Sequence, residues 1–478
     1  MRLIAIIVFT FLSACAVGPD YSQPELQVPA DYRQAETSSS LESLANLPWW
    51  ELLKDSTLQQ LVRTALQENR NLQQAVSSIE EFQARLYVAR TDFAPQVEGR
   101  ARFPSLGRTS SGFRLDGNPG VYNYSLEGEL AWELDVWGRI RRSTEAALAD
   151  LLAREENRRA IVLALVSDVA QAYFDLLQFD MQLDIAGRTL ESWEESVRIA
   201  QARLKRGVTS RLDADQFEAE RANAAARVAE LKRLMTQKEN ELSVLLGSNP
   251  TAIARGTILT DQVFPPEIPA GLPSELLRRR PDILKTEQEL VAATARIGIA
   301  KADRFPKVTL TGLLGVASPH LSNLFKSDTE FGAAGFNLLG PILNAEALGF
   351  QQDIAEAQAR QAFAQYEQTI LVAFREVEDA LIAVQTARSQ RQAQVEQVEA
   401  LQSALRLANL RYQGGITSYI DVLIAKRSLF DAELSLADTH RLHLVSIVQL
   451  YKALGGGWSP TDSPPFTESP SLSKHISP

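Results

Sequence analysis

A single cysteine, Cys15, stands in a chain of 478 residues, so no internal disulfide framework can form. Methionine is nearly as scarce: three copies, Met1 among them, leave no thioether cluster for a soft metal such as copper(I). The four histidines are His320, His440, His443 and His475. His440 and His443 are spaced to share a helix face, but with no further ligand donor nearby they read as surface residues rather than a metal site. A basic excess is also missing: Lys and Arg total 49 against 59 Asp and Glu, and the net charge of −10 excludes nucleic acid as the main partner. No G-x-x-x-x-G-K-[ST] loop occurs, so the chain does not itself hydrolyse nucleotide. No nucleophile–base pairing stands out, and Glu155-Glu156 and Glu194-Glu195 read as solvated helix faces. The sequence therefore offers no catalytic, cofactor-binding or metal residues, and an enzyme is not expected. After residue 17 no apolar run approaches the ~20 residues of a spanning helix. Proline is absent from 120 to 249 and from 342 to 459, which removes the strongest helix breaker from two long stretches.

What fills those stretches is written twice. RLKRGVTSRLDADQF, residues 203 to 217, returns as RYQGGITSYIDVLIA. A constant shift of 208 carries Arg203, Gly207, Thr209, Ser210 and Asp213 onto Arg411, Gly415, Thr417, Ser418 and Asp421. The same shift carries Leu246-Gly247 onto Leu454-Gly455, which marks an internal duplication. Each copy has a long run rich in Ala, Leu, Glu, Gln and Arg, then a glycine suited to a left-handed C-cap. Ser210-x-x-Asp213 and Ser418-x-x-Asp421 then resemble a capping box for a returning helix. Each unit reads as a helical hairpin with its tip near 207–213 or 414–421. The outgoing arm from about Arg139 to Lys205 would reach roughly 100 Å at 1.5 Å per residue. Such arms must pack lengthwise against other helices. For Asp213 the simpler role, stabilising its own helix start through the dipole, is favoured; for Asp421 capping and a functional role stand level.

The first residues read as an export signal. Met1-Arg2 precedes the apolar core LIAIIVFTFL, and Leu12-Ser13-Ala14-Cys15 resembles the lipoprotein signal at all four positions. That pattern predicts cleavage after residue 14 and a lipidated Cys15, and Ala16 is compatible with the outer membrane. Residues 15–56 form an irregular segment bearing Pro and Ser, laid over the outside of the protein, and 57 to 92 read as the first helix, stopped before Pro95.

A period of two then replaces the helical period. Val97, Gly99, Ala101 and Phe103 alternate with Glu98, Arg100 and Arg102. Tyr122, Tyr124, Leu126, Leu130, Trp132 and Leu134 share one face opposite Asn123, Ser125, Glu127 and Glu129, and 104 to 120 form a glycine-bearing loop. In the second half 274 to 304 read as a helix, with strands at about 307 to 316 and 331 to 339. The connector 248–273 holds five prolines and is expected to be ordered against the helices; the tail 456–478 is expected to be partly disordered. The two repeats are thus 57–247 and 274–455. Two-faced strands of about ten residues, aromatic near their ends and combined with an outer-membrane signal, fit a transmembrane barrel. Lipid forbids an open edge, and four strands are fewer than the roughly eight of the smallest common barrel, so several chains must contribute. Two would give a filled interior; the pattern leaves three and four copies open.

Cys15-Ala-Val-Gly-Pro-Asp-Tyr21, Pro48-Trp49-Trp50, the string from Gly271-Leu-Pro-Ser to Arg280-Pro281-Asp282-Ile283, and Arg411-Tyr412-x-x-Gly415 with Asp421-Val422-Leu423 resemble one family. It is the TolC-type outer membrane factors, in particular the lipoprotein branch serving resistance-nodulation-division pumps. The resemblance spans nearly the whole mature chain. It implies a mainly α protein with a transmembrane β-barrel, a homotrimer whose twelve strands, four per chain, are continuous with a long periplasmic α-helical barrel. It implies a periplasmic adaptor protein and an inner-membrane resistance-nodulation-division transporter as partners, outer-membrane lipid around the barrel, and no cofactor. The implied function is a passive duct exporting drugs or other toxic small molecules; a type I secretion duct and a lipid-anchored periplasmic coiled-coil scaffold are the alternatives. By position Asp421 matches a ring-forming carboxylate at the periplasmic gate and Tyr412 a residue that latches neighbouring helices. The family's second acid falls at Ile424, so a double acidic ring is not implied.

Overall fold

The computed structural model describes residues 16–26, 28–33, 46, 48–103, 106–109, 112–115, 124–263, 273–341 and 345–456. In chain order these form α1 (Trp49–Leu52), α2 (Ser56–Glu68), α3 (Arg70–Thr91), β1 (Gln96–Arg102), β2 (Leu106–Thr109), β3 (Gly112–Leu115) and β4 (Tyr124–Leu134). Then follow α4 (Arg139–Lys205), α5 (Arg211–Leu245), α6 (Pro273–Arg279), α7 (Pro281–Ala302), β5 (Lys307–Ser318), β6 (Glu330–Leu339), α8 (Ala345–Gln413) and α9 (Tyr419–Ala453). Two compact units emerge. The first gathers the described parts of Met1–Glu25, Ser77–Glu155 and Lys285–Gln368; the second gathers those of Leu26–Val76, Glu156–Leu284 and Thr369–Pro478.

The first unit holds an antiparallel sheet in the order β1-β4-β5-β6. Its register sorts the side chains as the two-residue period requires. One face carries Glu98, Arg100, Glu127, Glu129, Glu133, Thr309, Thr311 and Asn337; the other carries Val97, Leu126, Leu130, Trp132, Leu310, Leu314, Phe336 and Leu338. The apolar face is bare in the single chain: Val97, Leu314, Phe336 and Leu338 are each more than 70% exposed. Among the described residues β1 and β6 pair on one side only. The segment 104 to 120, expected as a plain loop, contains the short β2–β3 hairpin, with Leu106 opposite Leu115. Cys15 and the signal lie outside the described residues, but the chain just after them is closely docked. Val17 N donates to Trp137 O (3.0 Å), Asp20 pairs with Arg142 (2.5 Å), and the Tyr21 hydroxyl donates to Glu287 (3.0 Å). Gly18 lies so close to Gly298 that an added Cβ would sit 2.5 Å from its Cα.

The second unit is built on the long helices. Val169, Ala170, Tyr173, Leu176, Leu231, Ala373, Val377 and Ala437 are all fully buried. One 18-residue window of α4 is long and apolar enough, by composition, to cross a membrane, contrary to expectation; 61% of it is buried inside the protein, as in a core helix. The first helix divides at Asn69, whose extended backbone ends α2. The Asn69 side chain accepts from Leu72 N (3.0 Å) and donates to Leu245 O (2.9 Å), so it starts α3 and ties to α5 together. The expected helix 274 to 304 likewise divides at Arg280, because Pro281 disfavours helix in the residue before it. The buried Arg280 guanidinium pairs with Asp282 (2.6 Å) and Glu376 (2.7 Å). The described part of the connector, 248 to 263, is ordered: Arg255 pairs with Asp180 (2.9 Å) and Gly256 N donates to the Tyr173 hydroxyl (2.8 Å).

Three polar expectations resolve differently. His440 and His443, expected at the surface, are 7% and 6% exposed. Burial, with Arg391 and Arg388 close by, pushes the His443 imidazole down to about 4. Glu194 and Glu195 do face solvent, whereas Glu156 is mostly covered and bonded to Arg159 (2.7 Å).

Candidate functional site at the hairpin tips

The two tips share one backbone solution. Gly207 (φ 69°) and Gly415 (φ 68°) occupy the left-handed region, as do Gly247 (71°) and Gly455 (70°) at the far ends of the returning helices. Each of the four follows a helix whose last turn is closed by a bond from the residue after the glycine. Val208 N reaches Arg203 O, Ile416 N reaches Arg411 O, Ser248 N reaches Ser243 O and Gly456 N reaches Tyr451 O, each at 2.9 Å. All four bonds obey the 208-residue shift, so the duplication is geometric as well as textual.

The caps that follow differ. Ser210 accepts from Asp213 N (3.1 Å) while Asp213 accepts from Ser210 N (3.2 Å) and from the Thr209 hydroxyl (2.8 Å), a complete capping box. The hydroxyl of Thr209, then that of Ser210, holds the Asp213 carboxyl below the usual carboxylate range. At the second tip Ser418 makes no side-chain cap, contrary to the expected box, and Asp421 accepts from the Thr417 hydroxyl instead. Asp421 is exposed, beside a fully buried Val422 and a Leu423 packed on the chain's own core. At 100° per residue this turns Asp421 and the exposed Ile424 away from that core.

Between the hairpins lies a small aromatic cluster. Trp193, Val197, Ala200, Ala214, Phe217 and Ala224 form its buried part, with Tyr419 and Leu423 of α9 packed against it. Phe217 meets Tyr419 at 4.4 Å between ring centroids, and Tyr419 meets Tyr412 edge-on at 4.9 Å. Arg203 donates to the Tyr412 hydroxyl and lies 5.7 Å from its ring centroid. Tyr412 therefore bonds the α4 end to the α8 end within one chain. Lys426 reaches from α9 to α4, donating to Ser192 Oγ (2.9 Å) and Ser196 Oγ (3.1 Å), 4.9 Å from the Trp193 ring centroid. The structure thus gathers Tyr412, Gly415 and Asp421 at one tip and Gly207 and Asp213 at the other. Sequence reading missed Trp193, Phe217, Tyr419 and Lys426, since single aromatics and a lone lysine on a helix carry no pattern of their own. Among the described residues no three His, Cys, Asp or Glu side chains gather as metal ligands.

Comparison with known proteins bears on this geometry. The family described as outer membrane efflux protein matches residues 61–248 and 272–456. The chain is 38% identical over 468 residues to the probable efflux pump outer membrane protein TtgC of Pseudomonas putida, covering 95% of this chain and 96% of that one. It is 34% identical over 463 residues to the cation efflux system protein CusC of Escherichia coli, covering 96% and 99%. Among solved structures it resembles CusC (TM-score 0.82, 33% identity, 93% of this chain and 100% of that one). It also resembles the open state of the Neisseria gonorrhoeae MtrE outer membrane channel (TM-score 0.82, 32% identity, 93% and 98%).

Proposed function

The chain belongs to the outer membrane efflux protein family, and from that membership we propose that it is the outer-membrane channel of a tripartite efflux pump. The observation that carries this reading is a sheet whose two outer strands lack partners among the described residues, with an apolar face bare to its surroundings. In a bilayer an unpaired edge costs several kcal/mol per backbone group, so β1 of one copy must meet β6 of the next until the sheet closes. Three copies supply twelve strands, enough to leave a passage, with the acidic and polar faces of β1, β4 and β5 turned to its water. The long helices of the three copies form the periplasmic tube, and a lipid on Cys15 tethers each copy to the outer membrane.

The duct performs no covalent chemistry. Its energy comes from an inner-membrane resistance-nodulation-division transporter, reached through a periplasmic adaptor protein. The relatives are named for efflux of toluene, antibiotics, solvents and cations, and the cargo here is of that kind, small toxic compounds. Asp421 and Tyr412 sit where the passage narrows. The exposed Asp421 carboxylates of three copies attract cations and repel one another, and the Arg203–Tyr412 bond holds the hairpins together while the tip is closed.

Reconstitution into planar bilayers tests both levels. The protein is expected to conduct, and Asp421→Ala to raise the open-state conductance or weaken block by divalent cations. Unchanged conductance and block in Asp421→Ala would remove Asp421 from the gate. A wild-type protein that seals no pore, and leaves the membrane in urea without detergent, would instead indicate a lipid-anchored scaffold.

A further inference from the structure

Lys426 occupies a site that a cation does not favour. Its ammonium is folded between α9 and α4, half-buried, and touches Ser192 and Ser196 hydroxyls and the face of Trp193, itself only 2% exposed. No carboxylate among the described residues lies within ion-pair distance of it. Glu195, on the turn of α4 that carries Ser192 and Ser196, pairs with Arg198 instead. Two hydroxyls and a ring face replace only part of the water that an ammonium loses, so burying the charge here is a net cost. The same burial holds the Lys426 amine below its ordinary range, as expected where solvent is removed and no anion is supplied.

The position of this cost gives it a function. Ser192, Trp193 and Ser196 belong to the α4–α5 hairpin, whereas Lys426 belongs to the α8–α9 hairpin, two turns beyond Tyr419. Any movement that parts the hairpins frees the ammonium to water. The aromatic contacts of Tyr419 and the Arg203–Tyr412 bond oppose that parting; the desolvated ammonium favours it. We propose that Lys426 is a positioning residue that holds the closed tip poised to open, an uncompensated cation clamped between the two hairpins whose rehydration drives them apart. This rests on the conduit reading given above. It adds to it an element within each chain that is independent of any ring formed between copies.

Two variants with opposite predicted signs make the test. Lys426→Met keeps the length and packing of the side chain and removes the charge, so the reconstituted channel is expected to open about tenfold less often. Ser192→Ala combined with Ser196→Ala leaves the charge with fewer acceptors and is expected to open the channel more often, while Lys426→Arg stays near wild type. Bilayer recordings of open probability on protein that runs as an unheated, gel-stable oligomer give the readout. A residue that merely braces the fold would move both variants in one direction. Equal shifts, no shift, or more frequent opening in Lys426→Met would overturn the proposal. If Lys426→Met does not assemble, Lys426→Gln, uncharged and still able to bond Ser192 and Ser196, takes its place with the same expected fall in opening. A wild-type protein that never conducts would count against the conduit itself, so the two failures are separable.

Discussion

Tyr412 and His443 show how single residues set the behaviour of the second unit. Tyr412→Phe keeps the ring against Tyr419 and deletes the acceptor for Arg203. A hydrogen bond to a charged donor contributes about 1.5 to 3 kcal/mol, discounted here because the pair is only part-buried. Open probability in Tyr412→Phe is therefore expected to rise several-fold, with the far-UV spectrum unchanged; unaltered gating would show that the bond does not hold the tip. His443 acts on stability. An unfolded chain takes up a proton at this imidazole below about pH 6.5, whereas burial beside Arg391, Arg388 and His440 makes the folded chain resist protonation until about 4. The unfolded state then binds more protons, so stability falls as pH drops from about 6.5 towards 4. Thermal melts across that window are expected to show a falling Tm that His443→Leu flattens. An identical slope in the variant would place the acid sensitivity elsewhere. Neither His440 nor His443 was legible as a core residue, because a lone pair of histidines at helical spacing is usually solvated. Only the apolar ladder of α9, which buries Leu444, Val448 and Tyr451 alongside them, carries the information.

At the scale of elements the hairpins and strands were readable because their periods are long and clean. A glycine after each proline-free run announced the turns, and the left-handed angles at Gly207, Gly247, Gly415 and Gly455 repeat at the same shift as the letters do. The break at Asn69 was not readable, because it depends on Leu245, a partner that no local window contains. The break at Arg280 is marked locally by Pro281 and was passed over. The capping box is absent at Ser418 although Asp421 keeps the threonine bond that Asp213 also makes, and nothing in the structure explains the difference. The four glycines separate two kinds of cost. Nothing lies within 4 Å of a Cβ added at Gly207 or Gly415, so alanine there carries only the left-handed penalty of about 1 to 2 kcal/mol. At Gly247 the added Cβ falls on the Glu68 carbonyl, which contributes a further ~1 to 3 kcal/mol. Gly247→Ala should therefore lower the melting temperature well beyond Gly207→Ala. Equal losses would mean that the α2 end yields freely to the new methyl.

For the whole molecule the governing fact is a shortage of strands. One chain offers four that pair in a single sheet, polar on one face and apolar on the other, with its two outer strands lacking partners among the described residues. Neither face can be buried by the chain alone, and neither edge can be left in lipid. The alternation that reveals this is local and therefore legible; the number of copies that closes the sheet is not, because closure depends on tilt and stagger between chains that no single sequence encodes. The most direct test is the mass in solution of the Cys15→Ala protein, a variant that removes the acyl anchor proposed at that residue. The account predicts that it still requires detergent and that the protein in each micelle weighs as three chains. A stable monomer in plain buffer would contradict it.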